Sequence, residues 1–260
     1  MLIPMATPST IASSRWLRDR LIAWEVLALG LLVTLLAWMM TLRQLTREAQ
    51  ARFDAEASRM TLTLKAELDK PLLALDAFRG LFDTSRDVDP EAWKAFVRHF
   101  DLPNRFPGMR AMGFAKAVRD GELAGFQAYT RKHLGSEVNL HPRHGKGQEG
   151  LYVSVLFMEP ELPKFREEIL GLDLMFEPMR KEAVLQAVHT GTLSITPPVN
   201  LQRGFPSGFE DHPGVVFYLP VYERNQSLES RGERERSLRG VVFGSMFTDQ
   251  FLANTVGQNK

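Results

Sequence analysis

The sequence predicts an α+β domain built on an antiparallel sheet with flanking helices, preceded by a transmembrane helix and a long helical stalk. Three observations predict it. A charge-free apolar stretch lies near the N-terminus, an apolar stripe at helical spacing follows it, and four or five strand-like runs separated by helices and turns fill the remainder.

The bulk numbers narrow the function classes. Thirty-two basic and 31 acidic residues in 260 leave a formal net charge of +1, which offers no electrostatic footprint for nucleic acid. Cysteine is absent, so there is no disulfide, thiolate metal site or cysteine nucleophile. Such a composition suits an exported domain that folds without oxidation.

Residues 1–20 read as a cytoplasmic tail whose first 14 positions are Pro/Ser/Thr-rich and without periodicity. Residues 21–42 read as the membrane helix. No charge occurs in "VLALGLLVTLLAWMMTL" (26–42), and about 20 residues at 1.5 Å each cover a hydrocarbon core of roughly 30 Å, with Trp24 and Trp38 near the two interfaces. A cleavable signal peptide is the alternative, with Arg15, Arg18 and Arg20 as its basic region, but no small-x-small site closely follows the apolar run. A buried core helix is the other alternative. The same three arginines are balanced by Arg43, Arg47 and Arg52 on the far side, so the positive-inside count is a draw that leaves only a lean toward a cytoplasmic N-terminus.

Residues 43–82 continue as a helix. Leu45, Ala49, Phe53, Ala57, Met60, Leu64, Leu68, Leu72, Leu75, Phe78 and Phe82 recur at steps of three or four, and a helix over 41–81 would rise roughly 60 Å with a kink expected at Pro71. Either this stripe packs on the helix's own domain, or it forms a signalling stalk that also pairs with a second subunit; it drifts between a heptad and a 3.6-residue period.

Residues 83–250 carry the domain. Asp89 as N-cap and Pro90 at the first position start a helix through "EAWKAFVRHF". A strand is expected over 109–118, an amphipathic helix through Phe126 and Tyr129, a polar loop over 135–150, and a strand in "LYVSVLFMEP". Residues 170–175 are a short extended piece. Pro178 then opens a helix whose inward face is Met179, Ala183, Val184, Ala187 and Val188, ended by Gly191. "TLSITPPV" is a strand stopped by its prolines, and "GVVFYLPVY" (214–222) is apolar on both faces, a strand covered on both sides with a bulge or edge segment at Pro220. The charged run 223–239 is a solvent hairpin loop leading to a last strand over 240–247; residues 251–260 begin a membrane-proximal region, expected either to continue in a longer chain or to leave signalling to a separate partner.

Asp173 stands alone in the apolar run "LGLDLMF". A buried carboxylate without partners costs several kcal/mol, so it faces water, bonds local backbone, or receives a donor from elsewhere, a ligand included.

"RFPGMRAMGFAKAV", "GLDLMFEPMRKEAVLQAVHTGTLSIT" and "HPGVVFYLPVY", in that order, resemble the successive blocks of the CHASE domain, the extracellular sensory module of bacterial and plant receptor histidine kinases and diguanylate cyclases. The resemblance covers roughly residues 75–250. It implies a PAS-like sheet, a periplasmic or extracellular location on the inner membrane with the N-terminus inside, and a small-molecule cavity between sheet and helices. In the cytokinin-receptor branch the matching aspartate bonds an adenine-type ring. The matching ligand-binding positions here are Asp173, Ile195, Thr196, Gly214, Val216 and Tyr218. An output kinase or cyclase is expected outside this stretch, covalent or separate; the stalk stripe suggests a homodimer in the bilayer, and no cofactor is expected.

Other candidates are weaker. His133, His141 and His144 with Glu137 match no zinc spacing and sit on a polar loop. "GKGQEG" lacks the Lys-Ser/Thr of a phosphate loop, and Ser207, Asp211 and His212 lack a nucleophile elbow. The leading reading is a non-catalytic ligand sensor; a membrane-tethered hydrolase and a ligand-free dimerising anchor are the alternatives.

Overall fold

β-Branched and aromatic runs pair into one antiparallel sheet whose strands are apolar on both faces. The computed structural model describes residues 12–85, 87–106, 108–141, 150–159, 169–201 and 213–257. They divide into two compact units, one ending at Thr61 and one starting at Leu62.

The first unit is helical. Helix α1, Ala12–Thr84, is longer at both ends than the sequence pattern predicts, and runs through Pro71. Within this unit the side chains from Trp24 onward are exposed, and α1 is, among the described residues, the one helix long and apolar enough to cross a membrane. The only hydroxyls of the charge-free segment, Thr34 and Thr41, donate back to the Gly30 and Ala37 carbonyls at 2.8 and 2.9 Å, so the helix satisfies its own polar groups. The stripe at Leu45, Phe53 and Met60 is exposed.

The second unit holds the sheet. Strands β1 (Met109–Arg119), β2 (Leu151–Glu159), β3 (Ser194–Ile195), β4 (Val199–Asn200), β5 (Pro213–Tyr222) and β6 (Leu238–Phe247) are ordered β2-β1-β6-β5-β3, with β4 also on β5, and every pairing is antiparallel. Alternation along β1, β5 and β6 sends successive side chains to two separate cores. One face presents Phe114, Phe217, Leu219 and Val242 to the last turns of α1, to α2 (Pro90–Phe100) and to α4 (Leu123–Leu134). The other presents Ala115, Val216, Tyr218 and Val241 to α5 (Pro178–Thr190).

The C-terminal part of the apolar stripe therefore packs on its own domain. Leu64, Leu68 and Leu72 are half-buried against the first core, while Leu75, Phe78 and Phe82 are 0%, 0% and 1% exposed. Phe82 stacks on Phe114 of β1 at 3.9 Å between centroids, and Phe78 tilts against Trp93 of α2 at 5.2 Å. Arg239 on β6 donates to the Phe82 and Ser85 carbonyls at 2.7 and 2.9 Å, closing the helix end with a cation where the dipole favours one.

Asp89 caps α2 as its sequence predicts, accepting from the Ala92 amide at 2.7 Å with Pro90 at the first position. A four-residue helix, α3 (Leu102–Arg105), follows directly. Where β1 meets its neighbours a side chain at Gly113 is excluded, because a Cβ there would lie 2.4 Å from both the Phe157 carbonyl and the Phe243 ring.

Four expectations change. "TLSITPPV" is not one strand but two short ones, β3 and β4, since Pro197 and Pro198 supply no N–H to a ladder. Residues 170–175 are mostly turn, tied down by isolated bridges at Leu172 and Asp173. The charged run between β5 and β6 does join a hairpin, but contains α6 (Arg231–Arg236), nucleated by a Ser230–Glu233 capping box. On α5, Met179 is 45% exposed and Arg180 is buried in its place. The apolar expectation at β5 holds: it is buried on both faces, and its register shifts between Val221 and Tyr222, next to Pro220. The residues after β6 form α7 (Thr248–Gly257).

Phe78→Ala is expected to cost roughly 3–5 kcal/mol in urea unfolding, whereas Phe176→Ala, at an exposed position, should stay within about 0.5 kcal/mol. Equal losses would contradict the burial described.

Candidate functional site

The site grows from the way α5 is set on the sheet. Glu177 takes the N-cap and accepts from the Arg180 amide at 2.9 Å, Pro178 holds the first position, and Gly191 closes the helix in the left-handed region at φ 74°. The buried face is then Arg180, Ala183, Val184, Ala187 and Val188. At the far end Tyr222 of β5 donates to the Val188 carbonyl at 2.7 Å, and burial pushes its phenol up to about 12, so it remains a donor at neutral pH.

At the near end the fit between α5 and the sheet is incomplete. A partly open cavity of about 100 Å³ remains, lined by Val155, Leu172, Leu174, Val216, Tyr218 and Phe243 together with Arg110, Arg180, Leu201 and Ser245. Its surface is overwhelmingly apolar, interrupted by a few polar groups.

The sequence-predicted residues fall into two groups. Val216 and Tyr218 line this cavity. Asp173 lies behind its wall, 2% exposed, where its Oδ1 accepts from the Val153 and Met175 amides at 3.0 Å each and its own amide donates to the His141 carbonyl at 2.8 Å. Those bonds stitch the turn carrying Leu172 and Leu174 to β2. Thr196 is buried and pairs twice with Val216, its amide donating to the Val216 carbonyl and its hydroxyl accepting from the Val216 amide, both at 3.0 Å. Thr196 thereby fixes where Val216 points. Ile195 is 46% exposed and Gly214 is packed so closely that a Cβ would lie 2.4 Å from the Leu201 side chain.

The other candidates are dispersed. His133 stacks on Tyr129, the His141 Nε2 lies 3.0 Å from the Leu170 carbonyl, and Glu137 pairs with Arg131. His144, Ser207, Asp211 and His212 lie outside the described residues.

Arg180 is the residue that sequence reasoning missed. It is 7% exposed; one guanidinium nitrogen reaches the Leu201 carbonyl at a long 3.4 Å, and Nε has no hydrogen-bond partner. Tyr218, 0% exposed, also leaves its hydroxyl without a hydrogen-bond partner. Burial raises the Tyr218 pKa well above the ordinary phenol value, partly opposed by the nearby Arg180 charge, with Glu177 adding to the rise, so the phenol stays neutral. A signal for Arg180 existed: it stands three and four residues before Ala183 and Val184, while Met179 falls about 100° around the helix from it.

The structure is thus an antiparallel sheet covered on both faces by helices, with a small apolar cavity on one side. The CHASE domain family model matches residues 86–260, and the chain belongs to that family, the extracellular sensory domain of receptors. No curated protein matches the chain.

Asp173→Ala should leave two buried amides without an acceptor and destabilise the domain by roughly 2–4 kcal/mol in denaturant titrations. Thr196→Val, which removes the acceptor for the Val216 amide, should cost about 1–3 kcal/mol by the same measurement.

Proposed function

We propose that this chain is the membrane-anchored, extracytoplasmic sensing part of a signal-transduction receptor. The charge-free segment of α1 crosses the inner membrane with the N-terminal tail in the cytoplasm. The CHASE domain stands outside and binds a small molecule between its PAS-like sheet and α5. A homodimer passes the occupied state along α1 to an output domain. The observation that carries this reading is the apolar cavity bounded by Val216, Tyr218 and Arg180 in a domain of a sensory family. The strand order β2-β1-β6-β5-β3, with helices on both faces, supports the PAS-like description, and the exposed Leu45, Phe53 and Met60 on α1 supply a stripe for the dimer.

For the signal to travel, the ligand must favour one arrangement of the subunits over another. Binding to the cavity alone is not sufficient.

The test uses the chain in lipid nanodiscs. A ligand for the cavity raises the melting temperature saturably, and Val216→Phe, which fills the cavity, removes that rise while cooperative melting is retained. Cysteines at Phe53 and Met60 cross-link between subunits at a rate that changes with ligand. A ligand response unaffected by Val216→Phe would place binding elsewhere, and constant cross-linking would remove α1 from the signal.

A further inference from the structure

Among the described residues, the charged side chains that line the α5 cavity are both arginines. Arg180 comes from the first turn of α5 and Arg110 from β1, and no Asp or Glu among the described residues is on the lining. Arg110 is partly exposed and can be hydrated; Arg180 is more than nine-tenths buried. A buried guanidinium without a counter-charge is expensive, and proteins keep such a charge where something pairs with it. The nearest acid that the Tyr218 phenol senses is Glu177, and its carboxylate is committed to the helix cap through the Arg180 amide. Arg180 and Tyr218 both line this one apolar hollow, and each keeps a buried polar atom without a hydrogen-bond partner, Nε and the hydroxyl oxygen.

Resting on the sensing function proposed above, we infer that the ligand of this cavity is a small organic anion: a monocarboxylate whose charged end accepts from Arg180 Nε and Tyr218 Oη, and whose apolar body lies against Val155, Leu174, Val216 and Phe243. Charge assistance makes such bonds about twice as strong as neutral ones, and a neutral amide of the same shape would leave the arginine uncompensated. Size restricts the body as well. A 150 Å³ apolar cavity takes the six carbons of benzene, so about 100 Å³ suits a body of roughly two to four carbons. Ser245 at the rim can accept or donate to a substituent.

The experiment is calorimetry and thermal melting of the full chain in nanodiscs with propionate, isobutyrate and isovalerate, against propionamide, isobutyramide and isovaleramide as neutral isosteres, and adenine as a neutral heterocycle. At least one carboxylate should bind saturably, at least tenfold more tightly than its amide. Arg180→Met should weaken it tenfold or more, yet melt at or above the temperature of the unmodified protein without ligand, because an apolar chain replaces a buried unpaired charge. Tyr218→Phe should weaken it several-fold with little change in melting. Should Arg180→Met fail to fold, Tyr218→Phe and the carboxylate-to-amide ratio decide the matter. Equal binding of acid and amide, or a response to adenine alone, overturns the anion and leaves the sensor intact. Silence toward every compound overturns the anion, while the sensor is judged separately by the Val216→Phe and cross-linking tests above. Carboxylate binding that survives Arg180→Met overturns the role of Arg180 and with it the inference.

Discussion

A sheet that must be covered on both faces is the constraint on which the rest depends. β1, β5 and β6 carry large apolar side chains at successive positions, so neither face tolerates water. One face is closed by the end of α1 with α2 and α4, the other by α5. Leu75, Phe78 and Phe82 are consequently as buried as any residue of the sheet, and α1 cannot leave the domain without exposing its first core. The last turns of α1 are part of that core, and its terminal carbonyls accept from Arg239 of β6.

The two faces serve different ends. The first is an aromatic cluster, with Phe78, Phe82, Trp93, Phe114 and Phe157 in mutual ring contact, and such a cluster has little room to adjust. The second mixes alanines and valines with Tyr218, Phe243 and Phe247, and α5 rests on it through alanines and valines. Small side chains bring the helix close at Ala183, Val184, Ala187 and Val188. The long Arg180 at the first turn props the near end, and there the cavity opens. Asp173 and Thr196 then act as fasteners that orient the cavity walls through Val153, Met175 and Val216.

This division also explains why a single acid attracted notice and a single arginine did not. Asp173 is conspicuous because it interrupts a run of apolar letters, yet in the fold its Oδ1 serves main-chain amides. Arg180 is inconspicuous because "MRKE" looks like any solvated first turn. Its burial follows from the rotation of α5, which depends on where Gly191, Tyr222 and the sheet hold the other end.

By itself the sequence determined what depends on local pattern: the charge-free helix, the Asp89 and Pro90 start of α2, β1, β2, β5 and β6 within a residue or two, the helix ending at Gly191, and the ordered blocks of the CHASE family. These are legible because period, caps and turn residues act over a few positions. Tertiary structure alone decided which part of the α1 stripe is core and which is exposed, that "TLSITPPV" divides around its prolines, and which residues face the cavity. Val216 and Tyr218 share a face because a strand alternates, but Arg180, Leu172 and Phe243 join them across long separations in sequence. No local pattern encodes that meeting; it exists only once the sheet has set the height and rotation of the helix above it.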